Sequence, residues 1–144
     1  MAARIDHRTK MGVTHGIESN IRYCEFACHV AGAKLIVVLG HTRCGAIQSA
    51  CDGAEEGLIT QLLAKIKPAI EAETTIKSER NSQNKAFVDQ VTHLNIANSL
   101  HAIFKHSNIL RTMIGENKIA MVGARYDVHT GVVEYKNSLY TTKI

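Results

Sequence analysis

The sequence predicts an α/β domain with a mainly parallel sheet, flanked by helices and ending in an antiparallel edge strand. The clearest observation is the run Lys34–Leu39, which is short, apolar, rich in β-branched residues and bounded by glycines. Such a run is typical of a strand buried on both faces of a parallel sheet. A second apolar run, Lys118–Tyr126, follows a series of helical patterns. Strands that alternate with helices indicate an α/β sheet.

The first predicted helix runs from Ile17 to Val30 and ends at Gly32. Its apolar residues recur at steps of four, three and four, which is one stripe of an amphipathic helix. The strand Lys34–Leu39 comes next. A glycine-bounded turn then leads into a helix over Ala46–Cys51.

Helical patterns fill the centre of the chain. Glu55–Ala72 predicts one surface helix, in which Pro68 introduces a kink or break. Thr74–Asn84 is polar and predicts a loop, and Lys85–Lys105 predicts a long helix. A short helix over Ser107–Ile114 follows, with the serine as its N-terminal cap.

The last predicted elements form a hairpin. The strand Lys118–Tyr126 is followed by a turn over Asp127–Gly131 and a short strand over Val132–Tyr135. We expect the first of these strands to lie beside Lys34–Leu39 and the second to lie antiparallel at an edge of the sheet.

Size and composition limit the function classes. The 144 residues predict one domain over 1–144, in which residues 1–16 are expected to be irregular or incomplete. The longest apolar run, Leu35–Leu39, is far shorter than the roughly 20 residues of a membrane-spanning helix. The N-terminus lacks the apolar stretch of a secretory signal, so a cytoplasmic location is expected. The net charge of +4 is scattered and only 5% of residues are aromatic, which argues against nucleic-acid binding.

Two candidate metal ligands directly follow the predicted central strand. His41 and Cys44 stand where open α/β sheets place their ligand sites. Imidazole and thiolate are ligands that Zn²⁺ accepts, although a catalytic zinc also needs a third protein ligand and an open position. Gly40 and Gly45 allow the backbone to approach a bound group closely. The alternative is that a single His-x-x-Cys spacing is accidental.

The other cysteines and histidines have a structural interpretation. Cys24 and Cys28 share a helix face with Ile17 and Ile21, so we expect them to be core thiols, and Cys51 likewise. Without an export signal, disulfides are not expected. Five histidines show no ligand spacing with His41 and are interpreted as surface or helix-packing residues: His29, His93, His101, His106 and His129.

The segment Ala33–Ala46 closely resembles the zinc-binding segment of the β-class carbonic anhydrases. Glu25–Ala27 resembles the end of the preceding helix in that family, and Ile119–Glu134 resembles its closing strand and hairpin. The resemblance covers Ile17–Tyr135 in order. The sequence is most similar to the carbonic-anhydrase-like domains found alone or fused behind bacterial sulfate-type anion transporters.

The resemblance implies a zinc site built from His41, Cys44 and a Cys-x-Asp-x-Arg motif. Residues 4–8 resemble that motif and supply its Asp6 and Arg8, but Arg4 stands where the family has the first zinc cysteine. The segment between Arg8 and Ile17 is also shorter than in the family. This chain therefore resembles a member that is shortened at its N-terminus.

The sequence leaves the identity of the third zinc ligand undecided. Two ligands hold zinc less well than three, and Arg4 would place a positive charge near a dication, which puts the activity in question. Asp6 can bind the metal directly, as the motif's aspartate does in closed sites of the family. His7 and His15 are substitutes in the same segment.

The resemblance implies the reversible hydration of carbon dioxide to bicarbonate by a zinc-dependent carbonate dehydratase. Asp6 would orient the attacking hydroxide, Arg8 would keep Asp6 ionised, and the Gly45 amide would bind an anion such as bicarbonate. The family also implies a homodimer or a larger homo-oligomer. The alternative is an inactive module that senses bicarbonate or dimerises. A nucleotide-binding protein is not supported, because the sequence has no glycine-rich phosphate motif.

Overall fold

The chain folds around a four-stranded sheet with the strand order β1-β2-β3-β4. A computed structural model describes residues 2–5 and 17–135, with side chains from residue 19 onward. Strand β1 (Ala2–Ile5) is antiparallel to β2 (Leu35–His41), which is parallel to β3 (Ala120–Tyr126). Strand β4 (Val133–Tyr135) pairs with β3 in antiparallel fashion. The predicted α/β class, the parallel pair and the antiparallel edge strand are confirmed.

The described sheet is mixed, whereas the sequence predicts a mainly parallel one. The difference arises at β1, which lies in a segment expected to be irregular and adds a second antiparallel pairing. A strand of four residues with one arginine gives almost no periodic signal, so its pairing is set by the exposed edge of β2 rather than by its own pattern.

Helices connect the strands as predicted. The break predicted within Glu55–Ala72 is a turn at Lys65 and Ile66, which separates two helices. Pro68 lies in the first turn of the second helix, where its missing N–H costs nothing. The helices are α1 (Ile17–Glu25), α2 (Gly45–Cys51), α3 (Ile59–Ala64), α4 (Lys67–Ala72), α5 (Lys85–His106) and α6 (Asn108–Gly115). A π-helical segment, Phe26–Val30, continues α1.

Strand β2 is fully buried on one face only. Ile36 and Val38 are 0% exposed and pack in a first core cluster that contains residues of α1, α5 and α6. The alternate residues Leu35, Val37 and Leu39 are half-buried. Among the described residues, α5 covers the face that carries Ile36 and Val38, whereas the opposite face is only half-buried, so the expectation of full burial on both faces is wrong.

Three of the four cysteines lie in the core, as predicted, and all four are free. Cys24 and Cys28 are 1% and 2% exposed in the first cluster. Burial raises the pKa of the Cys24 thiol to about 12 and that of the Cys51 thiol to about 11, and it also raises the pKa of Cys28. These three thiols therefore stay protonated at neutral pH, and a protonated thiol is a poor metal ligand.

A second core cluster lies between α5 and the helices α2, α3 and α4. Its largest side chain, Phe87, is 0% exposed, and the Arg80 guanidinium lies 4.6 Å from the centre of its ring. Ile47 and Cys51 are the α2 residues of this cluster. The cluster therefore fixes α2, and with it the turn that precedes that helix.

The loop between α4 and α5 is organised by a buried ion pair. Glu73 is 4% exposed and accepts hydrogen bonds from the Thr75 hydroxyl, the Thr75 amide at 2.8 Å and Arg80 Nη1 at 2.8 Å. Arg80 also donates to the carbonyl oxygens of Ile76 and Ile70, each at 2.8 Å. The sequence predicts this segment only as a polar loop, and the paired charges explain why it holds one conformation.

Glu73 makes stability depend on acid. The hydrogen bond from the Thr75 hydroxyl, with those from the neighbouring amides and from Arg80, lowers the pKa of Glu73 below its ordinary 4.5, although burial acts in the opposite sense. Its contribution is therefore present above pH 4.5 and is lost as the pH falls through the lowered value. We expect the free energy of unfolding to fall less steeply with acid in Glu73→Gln than in wild type.

Urea denaturation between neutral pH and pH 3 measures this slope. Glu71→Gln is the matched control, because the Glu71 side chain is 65% exposed and pairs with Lys67 only at 4.0 Å. Equal acid slopes in wild type and Glu73→Gln would show that the buried pair does not carry the effect.

Candidate metal centre

His41 is the last residue of β2 and lies at the carboxyl edge of the parallel pair. Its ring is half-buried, and Nδ1 lies 2.9 Å from the carbonyl oxygen of Thr42. A carbonyl oxygen can only accept, so Nδ1 carries the proton and donates. The lone pair is therefore on Nε2, which is the form of the ring that a metal ion needs.

Cys44 is the second candidate ligand and the N-cap residue of α2. It is half-buried and packs against the second core cluster. Because the other three thiols are buried and held protonated, Cys44 is the cysteine suited to metal binding. The two donors are thus an imidazole nitrogen and a thiol on one turn, a donor set that fits Zn²⁺.

The turn between the two donors has a strained backbone. Arg43 has φ +56°, in the left-handed region, which costs a residue with a Cβ roughly 1–2 kcal/mol. Thr42 counters this strain, because its amide donates to the carbonyl oxygen of Tyr126 at 2.9 Å and its hydroxyl accepts from the Val128 amide at 3.0 Å. The turn is therefore fastened to the end of β3 and to the hairpin that follows.

The two flanking glycines have different surroundings. A Cβ on Gly40 would lie 2.7 Å from Ile96 Cδ1 and 3.2 Å from Thr92 Cγ2, so Gly40 permits the close approach of α5 rather than of a bound group. This corrects the expectation for Gly40. A Cβ on Gly45 would meet nothing within 4 Å, so the start of α2 is open.

A third metal ligand is not found among residues 2–5 and 17–135, where no three His, Cys, Asp or Glu side chains form a metal-binding group. The proposed Asp6 and Arg8, and the substitutes His7 and His15, lie outside the described residues. Arg4 pairs with Val37 in the sheet. That register places its backbone four residues before His41, or about 13 Å along the strand.

The remaining histidines agree with their structural interpretation. Four are exposed and His93 is half-buried; the four are His29, His101, His106 and His129. Arg125, which the sequence analysis did not single out, lies next to the site on β3. It bonds to Asp89 of α5 at 3.2 Å and to Glu134 of β4 at 2.9 Å, which ties the hairpin to the long helix.

Comparison with known proteins decides the family. The carbonic anhydrase family model matches residues 7–133 of this chain. This chain belongs to the carbonic anhydrase family, in its β class. A curated carbonic anhydrase of Candida albicans is 30% identical over 108 residues, which is 74% of this chain and 38% of that protein.

Solved β-carbonic anhydrases share the fold. The enzyme CafA of Aspergillus fumigatus superposes with a TM-score of 0.73 at 21% identity, over 90% of this chain and 61% of that one. A tetrameric β-carbonic anhydrase of Sordaria macrospora superposes with a TM-score of 0.65 at 21% identity, over 87% and 62% of the two chains. This carbonic anhydrase chain thus spans less than two thirds of these relatives.

Proposed function

We propose that this chain catalyses the zinc-dependent, reversible hydration of carbon dioxide to bicarbonate. Membership of the carbonic anhydrase family supports the reaction. The observation that carries the proposal for this chain is the His41–Cys44 turn at the carboxyl edge of β2 and β3, where Nδ1 of His41 donates to the Thr42 carbonyl oxygen and Nε2 carries the lone pair. When bound there, zinc would act as a Lewis acid and supply a nucleophile from water at neutral pH.

The chain's own residues would hold the metal and orient the reactants. His41 and Cys44 are the proposed anchors, and Asp6 is the proposed third ligand or the group that orients the nucleophile. Arg8 would keep Asp6 ionised through its charge. The amide of Gly45 at the open start of α2 would hydrogen-bond bicarbonate.

Metal analysis and a hydration assay test the proposal together. We expect about one zinc per chain in purified wild-type protein, and carbon dioxide hydration in a stopped-flow assay that a chelator removes and zinc restores. Asp6→Asn should lower the hydration rate. Wild-type protein that binds no zinc and lacks hydration activity would refute the proposal.

Arg4→Cys tests whether the first motif still forms part of the site. A cysteine at position 4 would restore the family's first zinc cysteine and remove a positive charge that repels a dication. If residues 4–8 occupy the position of the family's motif, we expect tighter zinc binding and faster carbon dioxide hydration in Arg4→Cys. Arg4→Ala controls for the lost charge. Unchanged zinc affinity and hydration rate in Arg4→Cys would show that residues 4–8 do not occupy the position of the family's motif, and would remove Asp6 and Arg8 from the proposed site.

A second candidate function is a carbonic-anhydrase-like module without turnover that senses bicarbonate or dimerises. It is favoured by the absence, within the described part of the chain, of any group of three His, Cys, Asp or Glu side chains that could hold a metal ion. Bicarbonate titration of metal-free protein separates the two candidates, since a sensing module would bind the anion without zinc and without turnover.

We also propose a homodimer or larger homo-oligomer. Three large apolar side chains at the start of α3 are exposed, Leu58 at 83%, Ile59 at 51% and Leu62 at 53%, and grouped apolar surface of this kind marks interaction sites. Light scattering that shows a monomer at micromolar concentration would refute this. The cytoplasmic location stays a prediction; none of the described helices is both long and apolar enough to cross a membrane.

A further inference from the structure

We propose that Thr42 is a positioning residue that joins the turn His41–Cys44, here called the metal turn, to the β3–β4 hairpin. Its hydrogen bonds, here called the latch, thereby hold the His41 ring in the orientation and protonation form that zinc needs. This inference rests on the proposed function, because it concerns the same zinc site. Thr42 lies between the two proposed ligands, His41 and Cys44, and no sequence motif gives it a role.

All three polar groups of Thr42 are used. Its carbonyl oxygen accepts from Nδ1 of His41 at 2.9 Å, which fixes the protonated nitrogen and the direction of the ring. Its amide donates to the carbonyl oxygen of Tyr126 at 2.9 Å. Its hydroxyl accepts from the amide of Val128 at 3.0 Å, across 86 residues of sequence. Thr42 therefore joins the His41 ring to the end of β3 and to the turn that follows β3.

The hairpin at the far side of the latch is itself held rigidly. The Asp127 carboxylate accepts from the amides of His129 at 2.8 Å and Thr130 at 3.0 Å. The Gly131 amide donates to the Asp127 carbonyl oxygen at 2.9 Å. Arg125 joins the hairpin to α5 through its ion pairs. A hydroxyl fastened to such a turn can resist movement of the metal turn.

The latch also explains how the strained turn is kept. Arg43 is held with φ +56°, and strain of this kind persists only where neighbouring contacts fix the backbone. The Thr42 hydrogen bonds lie immediately before Arg43 in the chain and supply such contacts. Without the hydroxyl bond, only the amide bond to Tyr126 would hold Thr42, and its carbonyl oxygen would be less firmly positioned beside His41 Nδ1.

The test compares Thr42→Val, which removes the hydroxyl but keeps the shape, with Thr42→Ser, which keeps the hydroxyl. Thr130→Val is the control for losing a threonine hydroxyl within the hairpin itself, since this hydroxyl accepts from the Val132 amide at 3.3 Å and also bonds to the Asp127 side chain. Nitrogen-15 NMR of metal-free protein, at a pH where the ring is neutral, reports which nitrogen of His41 carries the proton. Competition with a chelator measures zinc affinity.

We expect Thr42→Val to lose the Nδ1-protonated form as the dominant one and to bind zinc about 10-fold more weakly or worse, as for other groups that orient a ligand. Thr42→Ser and Thr130→Val should behave as wild type. Unchanged protonation and affinity in Thr42→Val, or equal losses in Thr42→Ser, would overturn the latch. If no variant, wild type included, bound zinc while Thr42→Val still changed the His41 tautomer, the proposed function would fail and the latch would stand.

Discussion

Replacing Cys44 by alanine is expected to abolish zinc binding and carbon dioxide hydration. Cys44 is the only one of the four cysteines that is not buried, so no other thiol can take its place. His41 would remain with Asp6 as the only other proposed ligand, and two protein ligands are fewer than the three that a catalytic zinc needs. Zinc content and stopped-flow hydration measure the effect.

Cys51→Ala is the control for the loss of a thiol. Cys51 ends α2, seven residues after Cys44, and is 9% exposed in the second core cluster. Its replacement should lower stability slightly and leave zinc bound. Zinc and activity that survive in Cys44→Ala would refute the proposed site, whereas loss of zinc in both variants would indicate general unfolding.

Replacing Phe87 by alanine is expected to cost about 3–5 kcal/mol of stability, the usual range for a fully buried aromatic ring. Phe87 is 0% exposed and fills the cluster that joins α2 and α4 to α5. The change would also remove the ring over which the Arg80 guanidinium lies, so the loop after α4 should lose its order with it. Urea denaturation followed by circular dichroism measures the loss.

Phe26→Ala is the matched control, because the same side chain is 61% exposed on the π-helical segment. A substitution on the surface should change the stability by less than about 0.5 kcal/mol. A similar loss in both variants would show that Phe26 is also buried in solution, as it would be in an oligomer interface.

The fold could be predicted from the sequence wherever neighbouring residues gave a strong local pattern. The run at Lys34–Leu39, the long helix ending near Lys105 and the Ser107 cap all gave local signals, and the structure confirms them, with the Ser107 hydroxyl accepting from the Leu110 amide at 3.0 Å. The helix break that Pro68 predicts lies two residues before the proline, because proline is accepted in the first turn of the following helix. The strand at Ala2–Ile5 had no comparable pattern.

The site could be predicted only as far as its ligands are close in sequence. His41 and Cys44 are three residues apart and follow a recognisable strand, so the sequence located them together. Tyr126 and Val128, which bond to Thr42, lie more than 80 residues away in the sequence, and a threonine by itself does not indicate a role in a metal site. The packing role of Gly40 could not be predicted for a similar reason, because only the structure shows that Ile96 packs against it.

The alternation of β2 has a consequence for how this region can change in evolution. Even-numbered residues of the strand face α5 and odd-numbered residues, including His41, face the other side. Inserting or deleting one residue between Lys34 and His41 would therefore turn the imidazole under the long helix and bring Leu35 or Leu39 in place of Ile36 or Val38. Substitutions can be tolerated here, but a change of length cannot, so the loops before Lys34 and after Cys51 are where this chain can vary its length without losing the turn that carries His41 and Cys44.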